Sequence, residues 1–260
     1  MKLAVAVPTC MKWDPSRAKS VERVQKVFPS ATLFAEDGPT PNHVWADKLE
    51  RWAALQDCTH ILQIQDDAIM CPDFETVLGA MLEAVPDQVI SLFTIHPVAK
   101  YLAKDDKNWL TTTDLMTGVA NVRPIEIQRE FVAWRDAVLE DGGTRAINED
   151  TLLGLFCAST GRKIWNPIPA VVDHDTTLTS NYGNQKAVHN RASVNWMDAP
   201  LPDSWAPKTM LHSSGLLQVP HLGRYYPFTP YSYLRWVKDA DKHQADRIER
   251  DVVRVEVKGS

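Results

Sequence analysis

The chain has 260 residues, enough for one large domain with a substantial core, or for a core domain carrying a C-terminal extension. Its 44% hydrophobic and 23% charged residues exclude extensive disorder, and no run approaches the roughly 20 apolar residues of a spanning helix, so a soluble protein with no membrane partner is expected. A formal charge of -5 excludes a global electrostatic drive toward nucleic acid and leaves room only for a local basic patch.

Residues 3–7 are an apolar run stopping at Pro8, the pattern of a buried parallel strand that opens into a loop over 9–15. The strand begins almost at the N-terminus, so no secretory signal is expected. Cys10, Cys58, Cys71 and Cys157 lie far apart without a C-x-x-C pair, which points to reduced thiols and a cytoplasmic location. Ser16 can cap a helix whose stripe is Val21, Val24, Val27 and Phe28, with Pro29 as its stop. Residues 31–35 predict a second strand and Asp37-Gly38-Pro39 a turn. A helix over 44–55 can then bury Val44, Ala46, Leu49, Trp52 and Ala53.

Residues 60–65 predict a strand with Ile61, Leu62 and Ile64 that ends directly on Asp66 and Asp67. A helix over 73–84 and a strand over 89–93 complete a strand and helix alternation across the first 95 residues. The pattern implies an α/β fold with a mostly parallel sheet and helices on both faces, in which ligands bind beyond the carboxyl ends of the strands. Pro8, Thr9, Asp66 and Asp67 fall at such ends. Residues 96–117 are polar and read as an irregular, mobile loop over the site. A strand over 118–123 and a helix over 125–139 follow, then a helix over 149–160 with Asn148 as cap and Gly161 past its end. Beyond about residue 176 the pattern gives way to a Pro- and aromatic-rich stretch and a charged, helix-like tail over 233–250.

Two adjacent carboxylates at the end of a buried strand repel one another and gain little from burial without a partner. A divalent cation suits them. Mg2+ or Mn2+ takes oxygen ligands, can also bind a diphosphate, and neutralises the charge on a departing nucleoside diphosphate. The plain alternative is a pair that ends a strand and caps a turn.

The run 61–74, ILQIQDDAIMCPDF, resembles the DxD region of GT-A glycosyltransferases, in which an apolar strand delivers acidic residues to a metal and to the donor ribose. Residues 5–9, VAVPT, resemble the first strand and donor loop of that Rossmann-like fold, with Arg17 at a family-like position downstream and Asp37 resembling the acid that reads the nucleobase. Lys48 and Arg51 could approach donor phosphates from the helix before the acidic pair; each is also an ordinary solvated helix charge. Residues 118–124, GVANVRP, with a following helix bearing Trp134, resemble the part placed against acceptor and donor sugar, which marks Arg123 for the acceptor. Residues 148–154, NEDTLLG, resemble the acidic motif in which one carboxylate, Asp150 or Glu149, takes the acceptor proton in inverting members; alternatively both acids complement a helix N-terminus. Residues 171–175, VVDHD, make His174 the third metal ligand, with Asp173 and Asp175 able to orient its ring. Gln65 stands where many relatives carry an acid, and the resemblance then implies Asp67 on the metal with Asp66 nearer the ribose.

The resemblance spans about residues 1–195, a catalytic domain with a donor half over 1–95 and an acceptor half over 96–195. Residues 196–260 are expected to be an aromatic-rich extension packed on it. It implies a UDP-sugar or other nucleotide-sugar donor, Mn2+ or Mg2+, and inversion. The order of motifs, including residues 180–191, is also similar to compact bacteriophage glycosyltransferases, some of which modify hydroxymethylated bases in DNA; such a protein acts in the host cytoplasm. Six aromatics over 221–236, with Arg224 and Arg235, could stack bases or sugars and meet phosphates, or could simply pack the extension. A glycan or protein acceptor, a metal-dependent hydrolase or nuclease built on the same acids and His174, and a non-enzymatic nucleotide-binding module are the competing readings.

Overall fold

The run LAVAVPT makes β1 (Leu3–Thr9), and its alternating side chains are buried on both faces of a sheet, which selects a central position. In the computed structural model β1 pairs in parallel with β2 (Thr32–Ala35) on one side and β3 (His60–Ile64) on the other. The structure describes residues 2–12, 14–35, 42–94, 107–112, 118–140, 149–175, 177–178, 200–207, 210–212, 216–219 and 224–227.

Connecting these strands are α1 (Ala18–Val27) and α2 (Asn42–Ala54); β4 (Ala68–Met70), α3 (Phe74–Ala84) and β5 (Val89–Ser91) follow. Next come β6 (Trp109–Thr112), β7 (Ala120–Pro124), α4 (Ile125–Glu140), α5 (Glu149–Ser159), β8 (Ile164–Pro167) and β9 (Val172–His174). β10 (Met210–His212), β11 (Leu216–Val219) and β12 (Arg224–Pro227) complete the order. Eight strands form one sheet in the order β10-β6-β8-β5-β7-β3-β1-β2. β7 is antiparallel to both β3 and β5, β8 runs parallel to β5, and β6 is antiparallel to β8 and parallel to β10. The sheet is thus mixed, with a parallel half at β2, β1 and β3.

Helices cover both faces, as the alternation of apolar side chains requires. Val5, Val7, Leu62 and Ile64 pack with Val24 of α1, with Phe28 just past its end, and with Phe74, Leu78 and Met81 of α3. On the opposite face Ile61 meets Ala53 of α2 and Ile125 of α4, while Val89 and Ile164 meet Phe131 of α4 and Leu153 and Phe156 of α5. β3 is buried at every position. Each Leu or Ile so buried contributes about 1.5–3 kcal/mol, which fixes the strand that ends on Asp66 and Asp67.

Residues 96–117 are not irregular throughout. Trp109–Thr112 is a fully buried strand, held by an edge contact of Trp109 with Trp165 and a tilted contact with Trp205 at ring separations of 5.5 and 5.4 Å. Its four-residue pattern is too short to stand out between polar flanks. Trp205 closes over it. Trp109 Nε1 donates to the Trp205 carbonyl at 2.8 Å and Asn108 Nδ2 to those of Ser204 and Ala206 at 3.1 and 2.9 Å. Residues 200–207 therefore return to the core, and β10 adds a strand to the sheet beside β6. β11 and β12 form a separate antiparallel pair. The tail over 233–250 and residues 180–191 lie outside the described residues. Among the described residues no helix is long and apolar enough to cross a membrane.

A buried polar cluster lies between β3, β7, α2 and α4. Arg123 donates to Glu50, Gln128 and Asn121, and Gln128 Nε2 donates to the Glu50 carboxylate at 2.7 Å. Both Arg123 and Glu50 are 1% exposed. Arg123→Met leaves the Glu50 charge buried without its cation, and is expected to lower unfolding free energy by about 3–5 kcal/mol in a denaturant titration.

Candidate functional site

The register of β1 with β3 sets Ala6 beside Gln63, and carried forward it brings Thr9 level with Asp66. Thr9 Oγ1 donates to Asp66 Oδ2 at 2.6 Å. Asp14 accepts from the Ser16 backbone N–H and so fixes the single turn Pro15–Arg17 ahead of α1. That turn aims Arg17 inward. Its Nη1 donates to Asp66 Oδ1 at 2.7 Å and to Asp67 Oδ2 at 2.9 Å, and the side chain is 3% exposed. The acidic pair predicted at the end of β3 therefore has a resident cation.

His174 reaches the pair through a second, local pairing. β4 and β9 form an antiparallel ribbon with Ala68 opposite His174, and the Asp175 N–H donates to the Asp67 carbonyl at 2.8 Å. His174 Nε2 then stands 3.0 Å from Asp67 Oδ2. Arg23 on α1 clamps the ribbon by donating to the Ala68 carbonyl at 3.2 Å and to Asp175 Oδ2 at 3.3 Å. Asp175 is thus a clamp for the ribbon, with Thr177 on its other oxygen.

The two acids titrate in opposite directions. Burial pushes the Asp66 carboxyl up, and Arg17 and Thr9 only partly offset it. Burial pushes Asp67 up as well, but the hydrogen bond and charge of His174, with Arg17, outweigh it and hold Asp67 below its ordinary value. Burial works against the charged form of His174, and Asp67 more than compensates, so its pKa is raised. Of the two, Asp67 is the acid whose charged form the surroundings favour.

The same atoms can be tested against a divalent ion. Both Asp66 oxygens are taken by Thr9 and Arg17, whereas Asp67 Oδ1 is buried with no hydrogen-bond partner. Asp67 Oδ2 accepts from Arg17 and stands at hydrogen-bond distance, 3.0 Å, from His174 Nε2, so Oδ1 is the oxygen open to an ion. Among the described residues no group of three or more His, Cys, Asp or Glu side chains encloses a metal position. Mg2+ sites that also hold phosphates typically use one or two protein carboxylates and leave the remaining positions to phosphate and water. Asp67 and His174 fit such a site; Asp66 serves Thr9 and Arg17.

One strand away is a cleft lined by Glu50, Gln63, Gly118, Asn121, Arg123, Glu149, Asp150 and Leu153. The Gln65 N–H donates to the Val119 carbonyl at 2.8 Å, which joins this cleft to the acidic pair. Asp150 lies in the first turn of α5. A Cβ at position 118 would stand 3.2 Å from the Asp150 Cβ, so Gly118 permits the close approach of Asp150 to β7.

Glu149 is different. Neither of its oxygens has a hydrogen-bond partner, and Arg135 Nε, 2.9 Å from Oε1, does not aim its N–H at the carboxylate. Burial, then the Glu50 charge, push its pKa up to about 8, with Arg135 and Arg123 pulling the other way. Its folded state therefore holds a proton that the unfolded chain releases near 4.5. That contribution to stability is complete below about pH 4.5 and is lost as pH rises through about 8. Relative to wild type, Glu149→Gln is expected to gain on the order of a few kcal/mol between about pH 5 and pH 8.5, read from denaturant midpoints.

The remaining predicted residues are dispersed. Pro8 is buried in β1 beside Phe34 of β2, and Lys48 is exposed on α2. Arg51 is paired with Asp47 and Asp136. Arg123, expected at the acceptor, lines the cleft with Asp150 and is at the same time tied by its guanidinium into the buried Glu50 cluster. Asp37 and Arg235 lie outside the described residues, as does the side chain of Arg224, whose backbone is in β12. Sequence reasoning missed Glu50. It occupies a core position of α2 among Ala46, Leu49 and Ala53, and a charge inside a buried helical stripe was the readable signal.

No family model and no curated protein sequence matches this chain. Among solved structures, it resembles a glycosyltransferase involved in the glycosylation of the major capsid of PBCV-1, with 8% identity and a TM-score of 0.28 over 52% of this chain and 68% of that one. It also resembles residues 1-349 of S. aureus TarS, with 11% identity and a TM-score of 0.37 over 66% of this chain and 59% of that one.

Proposed function

We propose that this chain is a GT-A type glycosyltransferase that moves a sugar from a nucleotide-sugar donor to an acceptor hydroxyl. The observation that carries the reading is Asp67, held ionised with one buried, unpartnered oxygen, beside His174 at the carboxyl end of a parallel strand. Asp67 and His174 would hold Mn2+ or Mg2+, which supplies charge neutralisation for the departing diphosphate. Arg17 adds a fixed positive charge on the same side, and Thr9 keeps Asp66 oriented toward the donor.

Asp150 acts as the base. It takes the proton of the acceptor hydroxyl as that oxygen bonds to the anomeric carbon and the bond to the nucleoside diphosphate breaks, a single displacement that inverts the centre. Glu149 lies behind it, enclosed beside Arg135. A hydroxymethylated base in DNA is the acceptor favoured by the aromatic and basic stretch over 221–236, with a glycan or protein hydroxyl as the alternative.

The reading is tested by thermal unfolding with UDP- and GDP-sugars, with and without Mn2+, since a ligand bound only by the native state raises stability. A metal-dependent shift with one donor supports it, and sugar transfer to hydroxymethylated DNA or to oligosaccharide then separates the acceptors. Absence of a shift with every donor, together with metal-dependent cleavage of a phosphodiester, would replace it with the hydrolase reading.

A further inference from the structure

We propose that Arg17 is a built-in counter-cation that makes divalent-ion binding at Asp67 and His174 depend on the simultaneous presence of the donor diphosphate. This rests on the glycosyl-donor reading above. One guanidinium nitrogen, Nη1, serves both acids at 2.7 and 2.9 Å, and the group is 3% exposed. The contact is therefore neither a surface pair that solvent screens nor one that belongs to a single acid.

The consequence follows from charge. With both acids ionised, Asp66 and Asp67 carry two negative charges, and Arg17, bonded to both, neutralises one of them. A divalent ion at Asp67 Oδ1 meets that guanidinium at short range in a buried setting, where repulsion is only weakly screened. Alone, the ion is disfavoured. A diphosphate arriving with it restores the balance and gives both cations an anion to share. By linkage the dependence is reciprocal: the ion tightens the diphosphate as much as the diphosphate tightens the ion. A purely structural Arg17, stapling the Pro15–Arg17 turn to β3, would leave the affinity for the ion alone unchanged.

The test measures Mn2+ affinity of the full chain from the electron-spin resonance of free Mn2+, alone, with pyrophosphate, and with each nucleoside diphosphate, each read against the same titration without protein because diphosphates themselves bind Mn2+. Wild type is expected to bind Mn2+ at least about tenfold tighter with pyrophosphate or with the matching nucleotide. Arg17→Gln is expected to bind Mn2+ alone about tenfold tighter than wild type and to lose most of the enhancement, while Arg17→Lys keeps both. Equal Mn2+ affinity of wild type with and without pyrophosphate overturns the inference without any variant, which covers the case of an Arg17→Gln protein that does not fold. If nucleotides bind but folded Arg17→Gln takes Mn2+ alone no tighter than wild type, Arg17 is a staple and the donor reading stands. If pyrophosphate enhances Mn2+ binding through Arg17 while no nucleoside diphosphate does, the inference stands and the donor reading falls. If Mn2+ binds under no condition, both fall.

Discussion

Asp67→Asn is expected to abolish the Mn2+-dependent part of donor stabilisation and to lower the rate of sugar transfer by about two to three orders of magnitude. The substitution keeps the size of the side chain and an oxygen that can accept from Arg17, so the native fold should persist. It removes the charge that Asp67 holds through His174 and Arg17, and with it the ionised oxygen that has no partner within the protein. Donor-induced shifts in unfolding temperature with and without Mn2+, and transfer of labelled sugar, check the two halves separately. Asp66→Asn is the informative comparison. Both Asp66 oxygens already have donors in Thr9 and Arg17, so this variant should retain Mn2+ dependence while weakening the donor. Equal loss in both variants would count against assigning the ion to Asp67 and His174.

Asp150→Asn is expected to lower kcat by about 10²–10⁴ while leaving donor affinity and its Mn2+ dependence unchanged. The residue sits in the cleft at the start of α5, one strand from the acidic pair. In the variant, the limb of the rate profile that reports ionisation of the base should disappear. Glu149→Gln provides the contrast: its main effect is on the pH dependence of stability, because its carboxyl is enclosed beside Arg135 and already favours the protonated form. A Glu149→Gln enzyme as inactive as Asp150→Asn, with normal folding, would reverse the assignment of the base.

Much of the donor half was legible because it is written in long, regular patterns. β1, β3 and the helices α1, α2 and α3 fall within a few residues of the segments predicted from apolar runs, caps and prolines. The acidic pair was also readable, since a strand buried at every position cannot end on two carboxylates without a partner. What could not be read was which partner. Arg17 lies 49 residues from Asp66, and only the β1 and β3 register, with the Asp14-fixed turn, brings them together. β4, β6, β8 and β9 have three or four residues each, too few for a period-two signal, and their pairings are long-range. For Arg123 the motif position pointed to the cleft that it does line, while its bond to Glu50, distant in sequence, could be read only from the packing of β7 on α2.

If Asp67 and His174 hold the ion proposed above, the ribbon of β4 and β9 bears on which ion that is. Ala68 faces His174, with Asp173 and Asp175 on either side of it in sequence. An imidazole nitrogen therefore stands beside Asp67 because of strand pairing, and a shift of one position would exchange it for a carboxylate oxygen. A nitrogen in the set shifts the balance from Mg2+ toward Mn2+ and the ions after it, whereas an all-oxygen set favours Mg2+ or Ca2+. On the proposed reading, ion preference would be encoded as an alignment of two three-residue strands, and Arg23, which ties that alignment to α1, would act on it from outside the site.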